Sequence, residues 1–137
     1  MAVAATVADG IYGFVVYGLL MTSEFERYPN VFRLAEEGMA HLPLMFLGIL
    51  IAMPALVAIY AKGYEGGSGV AEGARFGALI GFFLAVLSAS VNYGTLHIGR
   101  RLALYFAVAG LLEWVINGIV IGLVYRPSVS HQCRPAV

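Results

Sequence analysis

Two carboxyls and two carboxamides interrupt stretches otherwise built from apolar residues, and these side chains are the ones equipped for chemistry. Asp9 is the only charge between Ala2 and Thr22, and Glu113 the only one between Leu102 and Tyr125. Asn117 lies one helical turn beyond Glu113 and on the same face; Asn92 falls in a third apolar stretch. A charged carboxylate near a bilayer centre costs about 2.5–3.5 kcal/mol on insertion scales, so such groups must face protein or water. Asp9, Gly13 and Tyr17 share one helix face. An intramembrane polar cluster of Asp9, Glu113 and Asn117 is therefore expected, with Arg75 or Tyr12 beside it. It admits two kinds of chemistry. Glu113 and Asp9 can serve a transported cation or anchor a polar ligand group. Alternatively both carboxyls, protonated by desolvation, simply hydrogen-bond neighbouring helices.

His41 and His97 border the apolar stretches on one side, near Arg100 and Arg101. They are candidate ligands to a haem or pigment, or to a metal together with Glu36 or Glu37. An interfacial histidine without a ligand is the commoner arrangement, so neither a cofactor nor a metal is expected. Ser88 and Ser90 have no paired base to make a nucleophile. The glycine-rich run Lys62-Gly-Tyr-Glu-Gly-Gly-Ser-Gly69 contains neither GxGxxG nor GxxxxGK[ST], which argues against phosphate binding. The single Cys133 cannot form an internal disulfide, and no zinc spacing occurs. No enzyme is indicated.

The elements that carry these residues follow from composition. Hydrophobic residues make up 61%, charged ones 12%, and mean hydropathy is +0.85. A soluble domain carries about 25% charged residues, so a soluble fold would expose apolar surface that water does not tolerate. Eight basic residues balance eight acidic ones, leaving no footprint for nucleic acid. No Lys or Arg precedes Ser23, so no cleavable signal peptide is expected.

Four apolar windows remain between the charges, each of the roughly 20 residues that a membrane helix needs. They predict one all-α domain over 1–137: a polytopic four-helix transmembrane bundle, compact, with helices near 2–22, 39–61, 74–96 and 102–125. An extramembrane loop spans 23–38. Four crossings put both termini on one side, with the 62–75 loop. Lys62, Arg75, Arg126 and Arg134 then oppose Arg27, Arg33, Arg100 and Arg101, and four against four sets no orientation. Within the 23–38 loop, Val31–Glu37 predicts a short interfacial helix with Val31, Phe32, Leu34 and Ala35 partly buried. Pro54 predicts a kink. The residues after Arg126 predict a loose tail.

Packing has its own signature. Gly73, Gly77, Gly81, Ala85 and Ala89 recur every four residues, as do Gly110, Gly118 and Gly122 with Trp114 in the vacant place. Small residues in such a stripe let helix backbones approach closely in lipid. The glycines Gly73, Gly77, Gly81, Gly118 and Gly122 are thus the expected helix-packing residues.

The runs Lys62-Gly-Tyr-Glu-Gly, Glu72-Gly-Ala-Arg-Phe-Gly-Ala-Leu-Ile-Gly81, Asn92-Tyr-Gly-Thr95, Glu113-Trp114 and Gly118-Ile-Val-Ile-Gly-Leu-Val-Tyr125 resemble those of small uncharacterised bacterial four-helix inner-membrane proteins, of the domain-of-unknown-function type. The resemblance covers the second to fourth helices and implies a bacterial inner (cytoplasmic) membrane location, multi-pass, without implying an activity. The expected role is a non-enzymatic accessory or assembly subunit that packs against membrane lipids, other membrane protein subunits or its own copies. A small transporter or channel using Glu113 and Asp9 is the alternative. A haem- or pigment-binding subunit using His41 and His97 is the third reading.

Overall fold

In lipid, helices gain little from hiding apolar surface, and close backbone contact takes over as the force that pairs them. The glycine stripes decide which helices pair here. The computed structural model describes residues 1–33 and 35–125. The chain runs through α1 (Ala2–Gly13), which continues without a break as a π-helix over Phe14–Leu20. Then follow α2 (Thr22–Phe25), α3 (Ala35–Gly63), α4 (Gly69–Thr95) and α5 (Arg100–Val124). Among the described residues there is no strand. Four helical stretches are long and apolar enough to cross a membrane: Ala2–Leu20, Glu36–Gly63, Gly69–Thr95 and Arg100–Val124.

The helices outrun the apolar windows. Glu36 and Glu37 lie in the first turn of α3, Lys62 in its last turn, Glu72 in the first turn of α4, and Arg100 and Arg101 open α5. Glu36, Glu37 and Glu72 at helix starts and Lys62 at a helix end suit the helix dipole; Arg100 and Arg101 at the start of α5 oppose it, and Arg101 is offset there by its pair with Glu24. Two expectations for the 23–38 loop are corrected. The short helix is Thr22–Phe25, and Glu36 and Glu37 belong to α3 rather than to a separate interfacial segment. Val31 and Phe32 are half-buried as expected. Leu34 and the Ala35 side chain lie outside the described residues, as does the chain from Arg126, with Cys133 and Arg134. The helix α3 continues through both Pro43 and Pro54.

The tight pair is α4 with α5. A Cβ added at Gly73 would overlap the Gly118 carbonyl oxygen, and one at Gly118 would overlap that of Gly73. Gly69 and Gly122 meet in the same reciprocal way, and Gly77 lies on the Trp114 carbonyl. Farther along, a Cβ at Gly81 would come within 3.0 Å of the Leu111 carbonyl oxygen. Gly73, Gly77, Gly81 and Ala85 are buried, and Ala89 is half-buried. Gly110 departs from the expected stripe: nothing lies within 4 Å of a Cβ built there.

Around this pair, α1 packs on α5, and α3 packs mainly on α1. Ala5, Met53, Tyr60 and Ile121 form one buried cluster joining α1, α3 and α5. Met21, Ile98, Leu102, Ala103 and Ala109 form another, capped by Phe25, Tyr28 and Phe32 of the 23–33 segment. The Gly99 backbone N–H donates to the Tyr28 hydroxyl at 3.0 Å and ties that segment to the start of α5. The bundle is not closed all round. Met53 and Tyr60 of α3 are buried, whereas no residue from 36 to 52 is. With 29 residues, α3 is about 43 Å long, and its first half stands away from the α4–α5 pair.

Candidate functional site

The π-helix sets the site's geometry. In a π-helix each N–H bonds five residues back, as Met21 N–H does to the Val16 carbonyl at 2.9 Å. Tyr12 and Tyr17, five apart, pack edge to face with centroids 6.3 Å apart. Both rings turn toward α5. The Tyr12 hydroxyl donates to the Ala109 carbonyl at 2.7 Å, and the Tyr17 hydroxyl donates to Glu113 Oε2 at 2.9 Å.

Asp9 lies two turns before Tyr17 and is 7% exposed; Asn117 is 1% exposed. The Asn117 carboxamide donates to Asp9 Oδ1 at 2.5 Å. The expected trio therefore divides into two bonded pairs on the α1–α5 interface, Asp9 with Asn117 and Glu113 with Tyr17. Among the described residues neither Asp9 nor Glu113 has a basic partner. Arg75, expected near them, instead bonds Glu65 at 2.6 Å on the exposed surface. Asn117 Oδ1 is buried and accepts no hydrogen bond among the described residues.

Past Gly81 the glycine contacts end, and α4 and α5 leave a space between them. A cavity of about 160 Å³ opens there, lined by Leu84, Ala85, Ser88 and Asn92 from α4 and by Phe106, Gly110, Glu113 and Trp114 from α5. Tyr17 contributes the wall from the first span. No residue of α3 lines it. Gly110 thus leaves room for the cavity instead of joining the packing stripe. The Ser88 hydroxyl is bonded to the Leu84 carbonyl of its own helix.

His41 Nδ1 is 2.8 Å from the Glu37 carbonyl oxygen one turn earlier, and His97 is exposed in the 96–99 turn. Among the described residues no group of three or more His, Cys, Asp or Glu side chains converges as for a metal.

Two polar features escaped sequence reasoning. Glu24 is only 8% exposed and pairs with Arg101 at 3.1 Å and Arg27 at 3.7 Å. Glu24 and Arg101 sit far apart in the chain, with no spacing to signal their pairing. At the other end, the Tyr60 hydroxyl and Glu72 Oε2 are buried with no hydrogen-bond partner among the described residues, and the Tyr60 ring packs against Tyr64, Phe76 and Tyr125. The abundance of tyrosine near the window ends was the available clue. No protein-family model, curated protein or solved structure matches this chain.

Proposed function

We propose that the chain is a multi-pass protein of the bacterial inner membrane with both termini on one side, acting without catalysis as an accessory or assembly subunit. One observation carries this reading. A cavity holding Glu113, Ser88 and Asn92 lies within the spanning helices, and α3 contributes nothing to its walls. In the first half of α3, which would complete the ring of helices, no residue from 36 onward is buried. Polar groups at membrane depth require protein or water beside them. A helix of a neighbouring subunit seated between the first half of α3 and the second half of α4 supplies that cover.

Site-directed photo-crosslinking in native membranes tests the idea. A benzophenone side chain at Leu44, exposed in the first half of α3, or at Val91, exposed beside the cavity-lining Asn92, should give one discrete protein adduct that persists through mild-detergent purification. The same probe at Leu123, on the far end of α5, should give none. Adducts to lipid alone at all three positions would remove the accessory reading.

A second reading, a small cation or proton transporter, draws support from the partners of the two carboxyls. Asp9 and Glu113 are each held by a neutral donor, Asn117 and Tyr17. A carboxyl held in this way retains the freedom to exchange a proton that an Arg partner would remove. Proton flux in proteoliposomes that disappears with Glu113→Gln would favour it over the accessory role.

A further inference from the structure

The cavity beside Glu113 holds a carboxyl and, among its lining residues, no basic side chain, and that imbalance of charge selects an occupant. The Tyr17 hydroxyl spends its proton on Glu113 Oε2 at 2.9 Å, and Ser88 spends its own on the Leu84 carbonyl. Each oxygen is left with only lone pairs for a guest. Glu113 Oε1 takes part in no hydrogen bond among the described residues and is not among the buried unpartnered atoms. Asn92 adds a carboxamide and Trp114 an indole N–H, neutral groups that leave the charge of the site to Glu113; the rings of Tyr17, Phe106 and Trp114 make up much of the wall. Aromatic faces carry negative potential and attract cations. No Lys, Arg or His is present in the wall.

An anion placed here would face a carboxylate with no cation to offset it. A neutral apolar guest would leave Glu113 Oε1 without a partner, which is costly for a charged or a neutral carboxyl. A cation satisfies both the carboxylate and the rings. Size narrows the class further. An apolar protein cavity of about 150 Å³ admits benzene, so about 160 Å³ suits a guest of five or six heavy atoms. We infer that the cavity is a binding site for a small organic monocation, a primary or quaternary ammonium, held by Glu113 and the rings of Tyr17, Phe106 and Trp114. The inference goes beyond the accessory role and stands whichever neighbour covers the opening beside α3.

Trp114 is the only tryptophan of the chain, so its fluorescence reports directly on the site. The full chain in a neutral maltoside detergent is titrated with tetramethylammonium, and separately with tert-butanol, a neutral molecule of the same heavy-atom count. A third titration uses a short-chain phosphatidylcholine below its micellar concentration, which carries the same ammonium on a lipid. The expected result is a saturable change with tetramethylammonium and none with tert-butanol. A response to the lipid alone would keep the ammonium site and assign its natural source to a headgroup.

Glu113→Gln keeps an acceptor for Tyr17 and removes the charge, and should weaken binding about tenfold or more. Gly110→Leu fills the cavity from a position where an added Cβ meets nothing, and should abolish the response while leaving helix content and elution volume unchanged. If Glu113→Gln misfolds, the Gly110 variant still decides the matter. Equal responses to the cation and to tert-butanol, no saturation with either ammonium probe, or undiminished binding in a folded Gly110→Leu protein would each overturn the proposal.

Discussion

Asn117 of α5 reaches across to Asp9 of α1, 108 positions away in the chain, and the two side chains share a buried hydrogen bond of 2.5 Å. Such a bond contributes little over its replacement by apolar groups, but breaking one side of it is expensive, because the survivor stays buried without a partner. Asn117→Leu should therefore destabilise the protein by about 1–3 kcal/mol. Adding Asp9→Leu to that variant should recover part of the loss. Thermal unfolding in one detergent, run as a double-mutant cycle, checks the sign of the coupling.

The glycine contacts predict opposite outcomes for the same substitution at two sites. Gly118→Ala places a methyl against the Gly73 carbonyl and the Gly77 backbone, and overpacking of this kind costs about 1–3 kcal/mol. Gly77→Leu should be worse, since the Trp114 carbonyl blocks even a methyl. Gly110→Ala meets open space and should be neutral or stabilising by up to about 1 kcal/mol through helix propensity. Melting temperatures of the three variants rank them directly.

Removing the Tyr17 hydroxyl should be felt at Glu113. Tyr17→Phe retains the packing with Tyr12 and Phe106 but takes away the donor to Glu113. A loss of about 0.5–1.5 kcal/mol is expected. In Glu113→Gln/Tyr17→Phe the second change should cost less than it does alone. Additivity in that pair would mean that the two side chains do not act on each other.

Glu24 anchors the 23–33 segment through Arg101 and Arg27. Glu24→Ala should release it while leaving the spanning helices in place. Limited trypsin digestion reads this out, because Arg27 and Arg33 lie in the segment. Cleavage there should accelerate severalfold in the variant, with no change in helical circular dichroism. An unchanged digestion rate would assign the segment's order to the Tyr28–Gly99 bond and the aromatic contacts of Phe25 and Phe32 instead.

Hydropathy located the four long helices because each apolar window of about 20 residues, long enough to cross a membrane, forms one continuous helix. It misplaced their ends. Glu72 and Arg75 mark where apolar surface stops, whereas α4 continues back to Gly69. Four-residue spacing identified Gly73 and Gly118 as contact residues, because periodicity is a property of the helix itself. It could not separate Gly118, pressed on a neighbour, from Gly110, which borders a cavity. That distinction depends on where two helices diverge. The partner of Asn117 was within reach of a depth argument, since both residues lie at matched levels in opposed helices. The Glu24–Arg101 pair was not, because the folded loop alone brings it together.

The π-helical stretch from Phe14 to Leu20 amounts to an extra residue accommodated inside a helix. Deleting one residue between Phe14 and Val16 would let the turn revert to α geometry and leave Asp9 and Tyr17 seven α residues apart, still on one face. With no deletion, an unbroken α-helix would put Tyr17 about 80° away from the direction of Asp9 and turn its hydroxyl from Glu113. The wide turn restores a phase that the residue count alone would break, with no change in the hydropathy of the first helix. Phasing along the first helix, rather than its composition, connects its two polar contacts to the last one.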